Sequence, residues 1–228
     1  MTNLENNLNK IKDKISTCTI LTNDILGIQM EPEPEIDITT CKLYEWRDHH
    51  SGDISFTSRV IDTEVAQSKL KNGYTIVARI YPTDYSNYRG LFGRFYNGGT
   101  DDTKYGIIGL QYSTDGNTEG ELTFGNFPGG YSTRACIPVS YIPENNWHIV
   151  VASYDGNNTG RVYVGASLIH ENTTFYPLIP YQNIVIGISM TMDAKRYFYG
   201  TISDFKIYNK ALSVAEIEAV IAEINQQI

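Results

Sequence analysis

Charge is scarce in this sequence, and positive charge most of all. Only 19% of its 228 residues are Asp, Glu, Lys or Arg, and 18 Lys and Arg face 26 Asp and Glu. A net charge of −8 without any basic cluster argues against nucleic-acid binding, which takes its phosphate contacts from grouped Lys and Arg. Long apolar runs are missing as well. None approaches the ~20 residues of a membrane span, so no membrane insertion is expected. Met1 leads into TNLENNLNKIKDK with no apolar core of the signal-peptide type, and no conventional secretory route is expected from it. Cysteine is rare and odd in number. Cys18, Cys41 and Cys136 have no CxxC metal spacing and read as idle thiols. No internal repeat is visible, and strands do not alternate with helices, which excludes a parallel α/β sheet.

Tyrosine (17) and glycine (19) are plentiful. With so little charge, they describe a turn-rich β protein. From about Cys41 onward, short strands stand between turn signals. In GYTIVARIYP, Ile76, Ala78 and Ile80 share one face, as the period of two in a strand requires. YGIIGLQYS, GELTFGNF, WHIVVASYDG, GRVYVG, NIVIGIS and FYGTISDFKIYN follow. The gaps hold Asn-Gly-Gly, Asp-Gly-Asn, Pro-Gly-Gly and Asp-Gly-Asn-Asn, which favour positive φ and tight reversal. Two packed antiparallel sheets satisfy so many short strands.

Both ends read as helical. Leu4, Leu8, Ile11 and Ile15, spaced four, three and four, form a seam for packing against another helix. The helix is short and rich in Asn, so it is marginal alone and must dock on the chain's own core or on copies of itself. The expectation is a homo-oligomer, a trimer, with a dimer as the alternative. Glu31 to Glu35, E-P-E-P-E, is stiff and cannot join a helix. It reads as a linker, the alternative being a long surface loop. The division expected is 1–40 for a helix and linker that assemble or attach the protein, and 41–228 for the β domain. Near the end, Ser213 and Glu216 make a capping box, and Ile217, Val220, Ile221, Ile224 and Ile228 mark one helix face.

Three stretches carry a family resemblance. WHIVVASYDGNNTGRVYVG (Trp147 to Gly165) resembles paired strands of the concanavalin A-like, laminin-G-like jelly rolls. FYGTISDFKIYNKALSVAEIEAV (Phe198 to Val220) is similar to the final strand and helix of that family. GYTIVARIYPTDYSNYRGLFGRF (Gly73 to Phe95) resembles its early strand followed by a loop. The resemblance covers roughly residues 50–221. It implies an all-β, antiparallel two-sheet jelly-roll sandwich, flanked here by a short N-terminal and a C-terminal helix. After Tyr163-Val164 the family has Asp-Gly or Asn-Gly, whereas this chain has Gly165-Ala166, which alters a hairpin. The first forty residues resemble, in style, the start of tail, fibre or head-decoration proteins of phages infecting low-GC Gram-positive bacteria.

The superfamily contains glycosidases, so catalysis has to be tested on the residues. Laminarinase-type relatives use Glu-x-Asp-x-x-Glu on a strand, placing nucleophile and acid ~5–5.5 Å apart. The nearest match, Glu35-Ile-Asp37-Ile-Thr39-Thr40, lacks the second Glu and lies beside the Pro-rich stretch. No enzyme activity is expected. His49 and His50, near Asp48 and Asp53, would point to opposite faces of a strand, so they read as a solvated loop. His148 reads as structural. The resemblance implies calcium on the rim of the sandwich as an option. Asp101 and Asp102 are the acids that turn chemistry explains least, whereas turn chemistry accounts for Asp155-Gly156.

The tyrosines point further. Tyr rings stack on apolar sugar faces while Arg reads sugar oxygens. Tyr85, Tyr88, Arg89, Arg94 and Tyr96 lie along one loop-rich segment, and Tyr131 with Arg134 along another. These are the expected glycan-binding residues, against the alternative that Tyr is simply favoured in half-exposed strands. The functional expectation is a non-catalytic phage structural protein on the virion surface. It would bind cell-surface or environmental glycan and contact other virion proteins. The alternative is a bacterial carbohydrate-binding or adhesin module, at the cell surface or secreted.

Overall fold

A computed structural model describes residues 37–47, 61–85, 90–94, 109–113, 120–125, 134–175, 183–187 and 198–226. By contacts the chain divides into Met1–Asp37 and Ile38–Ile228, and the account below concerns the second. The N-terminal seam Leu4, Leu8, Ile11 and Ile15 lies outside the described residues.

Among the described residues, twelve strands form two six-stranded sheets. In chain order they are β1 (Lys42–Arg47), β2 (Ile61–Ala66), β3 (Tyr74–Pro82), β4 (Gly90–Arg94), β5 (Gly109–Ser113) and β6 (Glu121–Gly125). Then come β7 (Ala135–Pro138), β8 (His148–Tyr154), β9 (Gly160–Val164), β10 (Ser167–Asn172), β11 (Asn183–Ile186) and β12 (Gly200–Tyr208). The first sheet has the order β1-β12-β3-β8-β9-β10 and the second β2-β11-β4-β5-β6-β7. Every neighbouring pair is antiparallel. The fold is the concanavalin A-like jelly-roll sandwich.

Alternation along β3 decides what each sheet face does. Ile76, Ala78 and Ile80 enter the core between the sheets, as the sequence implies, with Phe205 and Ile207 of β12 and Val150 and Ala152 of β8. The second sheet meets them with Phe92, Leu122, Phe124, Ile137, Ile184 and Ile186. The intervening residues of β3 turn outward, where Val77 joins Val151, Tyr163 and Tyr208. A single α-helix among the described residues, α1 (Val214–Asn225), covers that outward apolar patch through Ile217, Val220 and Ile224. Each such aliphatic side chain, fully buried, is worth about 1.5–3 kcal/mol. The helix begins where the sequence says it should. Ser213 Oγ accepts from the Glu216 backbone N–H, and Glu216 accepts in return from the Ser213 N–H at 2.8 Å. No helix of the described residues is long and apolar enough to cross a membrane.

Turns follow from local chemistry. The β9–β10 hairpin closes through Gly165-Ala166, and Gly165 supplies the positive φ (59°) that the reversal needs. At the β8–β9 turn, Asp155 Oδ1 accepts from the backbone N–H groups of Asn157, Asn158 and Thr159 at 2.8, 3.1 and 3.0 Å. Burial pushes this carboxyl up, but those donors more than reverse it and hold it below its ordinary pKa. The segment read as loop-rich between Tyr85 and Tyr96 contains strand β4. Its two glycines disguised a strand that pairs β11 and β5.

Candidate functional site

Two residues expected to read a ligand serve the core instead. Tyr85 is 8% exposed, and its hydroxyl donates to the Ile142 carbonyl at 2.7 Å. Its ring leaves no open face for stacking on a sugar. Arg134 is 4% exposed. Its side-chain carbons lie against Gly125, where an added Cβ would stand 2.7 Å from Cγ, and its carbonyl accepts from Asn172 Nδ2 at 2.8 Å. Tyr88, Arg89, Tyr96 and Tyr131, the Arg94 side chain, and the acids Asp101 and Asp102 lie outside the described residues. So do His49 and His50. Among the described residues no group of three His, Cys, Asp or Glu is placed to hold a metal.

The thiols and histidines that are described do structural work. Cys41 Sγ donates to the Ile38 carbonyl at 3.2 Å. Burial, with Glu121 beside it, pushes the Cys136 thiol up to about 12, so it is inert at neutral pH. His148 meets the Pro143 carbonyl at 2.8 Å. His170 Nδ1 accepts from the Cys136 N–H at 2.9 Å, tying edge strand β10 to edge strand β7.

The chemistry that the sequence did not display is on the outward face of the first sheet. Next to α1, Lys206 of β12 has no exposed surface and pairs with Glu45 of β1 at 3.2 Å and Glu223 of α1 at 2.8 Å. Arg47 of β1 bonds Glu223 at 2.6 Å, pairs also with Glu45, and lies 3.7 Å from Asp204. Burial pushes the Glu45 carboxyl up, but the Lys42 and Lys206 ammonium groups outweigh it and bring it down to about 2. Glu223 is lowered in the same way by Lys206 and Arg47. These groups clamp three elements together.

Beyond the helix the same face carries a second cluster. Arg79 of β3 donates to Ser203 Oγ at 3.0 Å, and Ser203 Oγ donates to Asp204 Oδ2 at 2.8 Å. Held by that relay, the guanidinium carbon sits 4.0 Å from the centroid of the Trp147 ring, in cation–π range. Tyr81, two residues further along β3, meets Trp147 at 5.4 Å between centroids. Trp147 is 43% exposed all the same. Sequence reasoning saw Trp147 only as the opener of a strand. Its place opposite the outward residues of β3 comes from the β3–β8 register, in which Arg79 pairs with Ile149.

Comparison with known proteins agrees with this architecture. A family model described as the concanavalin A-like lectin/glucanases superfamily matches residues 57–218. Among solved structures, a Trypanosoma rangeli sialidase in complex with sialic acid is similar at 17% identity and TM-score 0.59, over 96% of this chain and 39% of that one. The structure of NanB plus Optactamide is similar at 16% identity and TM-score 0.55, over 78% and 28%. Domain 4 of AbnA, a GH43 extracellular arabinanase from Geobacillus stearothermophilus, in complex with arabinotriose, gives 19% identity and TM-score 0.47, over 65% and 66%. This chain therefore spans less than two-thirds of each. At these identities the likeness is one of fold. No curated protein sequence matches the chain.

Proposed function

The chain belongs to the concanavalin A-like lectin/glucanases superfamily, and on that premise we propose that it is a non-catalytic, glycan-binding structural protein of a phage particle. The observation that carries the non-catalytic reading is the lack of a correctly spaced carboxylate pair, since Glu35-Ile-Asp37-Ile-Thr39-Thr40 lacks the second Glu. Four carboxyls among the described residues also fit a structural role. Glu45, Asp155, Glu216 and Glu223 are all pulled below their ordinary pKa by cations or backbone donors. A glycosidase acid needs the opposite displacement, upward, to hold a proton at neutral pH. These four are structural anions.

The remaining parts of the proposal rest on the sequence. The seam Leu4, Leu8, Ile11 and Ile15 joins copies, as a trimer, and the jelly rolls are displayed on the virion surface beside other virion proteins. Tyr88, Arg89, Arg94, Tyr96 and Tyr131 contact the cell-surface or environmental glycan, and a calcium ion at Asp101 and Asp102 would order a rim loop. Shallow sites of this kind bind in the millimolar to micromolar range. Linking copies raises effective affinity by about 10²–10⁴ when the sites engage together. The likeness to parts of longer chains favours a second reading, a bacterial carbohydrate-binding or adhesin module.

One set of measurements tests this. A panel of β-glucans and bacterial wall polysaccharides should release no sugar. A glycan array should give signal with the full chain and much less after deletion of residues 1–30, which should also reduce the mass per particle to that of a monomer. Tyr88→Ala or Tyr131→Ala should weaken binding at an unchanged melting temperature. Sugar release abolished by replacing one acid, or a full chain that captures no glycan, overturns the proposal. Capsid and tail genes beside the coding sequence support the phage reading, and an upstream secretion signal supports the module.

A further inference from the structure

We propose that Trp147, Tyr81 and Arg79 form a saccharide-binding shelf on the outward face of the first sheet, beyond the part that α1 covers. The inference rests on the glycan-binding reading above and gives that reading a site in the described residues.

Three observations point to a sugar. Trp147 is a large aromatic side chain that keeps 43% of its surface open although it contacts both an arginine and a tyrosine. Leaving indole carbon in water forgoes roughly 25 cal/mol for every Å² that a ligand would cover. Next, Arg79 has five N–H donors, yet among the described residues it donates one hydrogen bond, to Ser203 Oγ. Desolvation lowers its pKa in spite of Asp204 nearby, so this cation has lost water, and among the described residues Ser203 Oγ is the one hydrogen-bond acceptor it gains. Last, the shelf is preorganised. The Arg79–Ser203–Asp204 relay fixes the guanidinium before any ligand arrives, which reduces the entropy cost of binding.

A pyranose ring meets both demands at once. Its C–H face packs on exposed aromatic carbon, and its ring-edge oxygens accept from the spare guanidinium N–H groups. An apolar partner would satisfy the indole and leave the arginine stripped of acceptors. A phosphate chain would satisfy the arginine but bring like charge to a protein of net charge −8.

The test starts from a glycan array probed with the full chain, with Trp147→Ala, Arg79→Gln and, as a control on another exposed aromatic, Tyr141→Ala (Tyr141 is 54% exposed). Trp147→Ala should lower the signal at least tenfold and Arg79→Gln several-fold, while Tyr141→Ala leaves it unchanged. In a titration of the wild-type chain with the strongest array glycan, the Trp147 indole N–H resonance should shift. That arm is decisive if Trp147→Ala fails to fold. Glycan binding that leaves both the indole resonance and the Trp147→Ala signal unchanged overturns the shelf and leaves the proposed function standing on the loop tyrosines. A full chain that binds no glycan overturns both.

Discussion

Lys206 Nζ lies 2.8 Å from a carboxylate oxygen of Glu223, and the lysine side chain has no exposed surface. One residue is on the last strand and the other on the helix that packs over it, so the pair fixes α1 against the sheet at a chosen point. Removing its anions strands a buried charge. Glu45→Gln with Glu223→Gln should cost about 2–4 kcal/mol, less than the ~3–5 of a fully buried pair because both carboxylates touch water. Lys206→Met should cost less, under about 1.5 kcal/mol, since Lys42 and Arg47 still serve the carboxylates. Urea unfolding of the two variants checks the order.

The same network sets an acid limit. The Glu45 pKa falls from 4.5 to about 2 on folding, and that of Glu223 is also depressed. A carboxyl whose folded pKa is lowered contributes stability that is complete above its unfolded value and lost as pH falls through the folded one. Unfolding free energy should therefore decline from about pH 4.5 toward about pH 2. The decline should be shallower in Glu45→Gln, and a parallel curve would remove Glu45 from the cause.

Gly160 touches the ring of Phe175. A Cβ added there would stand 2.1 Å from Cδ2 and 2.5 Å from Cε2. Phe175 cannot retreat easily, being stacked on Phe124 at 4.8 Å and Tyr154 at 5.5 Å. Gly160→Ala should destabilise by about 1–3 kcal/mol and Phe175→Ala by about 3–5 kcal/mol. The double variant should fall short of the sum, because the second change removes the clash created by the first.

Two buried tyrosines should respond in opposite ways to losing a hydroxyl. The Tyr74 hydroxyl is buried and has no hydrogen-bond partner among the described residues, whereas that of Tyr85 donates to Ile142. Tyr74→Phe should leave the melting temperature unchanged or raise it. Tyr85→Phe should cost about 0.5–1.5 kcal/mol and leave glycan binding intact, since Tyr85 supports the core.

What the sequence made legible was local. The capping box of Ser213 and Glu216 spans four residues, the Asp155 turn spans five, and the alternation of Ile76, Ala78 and Ile80 lies within one strand. Each declares its physics over a few positions. Tyr85 did not, because a Tyr among polar neighbours carries no sign of an acceptor at Ile142, 57 residues away. Nor did Arg47, whose partner Glu223 is 176 residues distant. The Trp147 shelf is legible only once the register of β3 on β8 is known. That register follows from long-range packing of the two strands, and no short motif states it.

The pairing of β1 with β12 has a mechanical consequence. Lys42, at the start of β1, is opposite Tyr208, at the end of β12, and the Asn209 N–H reaches the Cys41 carbonyl at 2.9 Å. The two-sheet sandwich is thus entered and left at one corner, before α1 packs back on the first sheet. Tension applied between Ile38 and Asn209 would peel the two strands apart one rung at a time instead of loading the rungs together. Such a zipper yields at low force, while a load borne through one end alone passes by it.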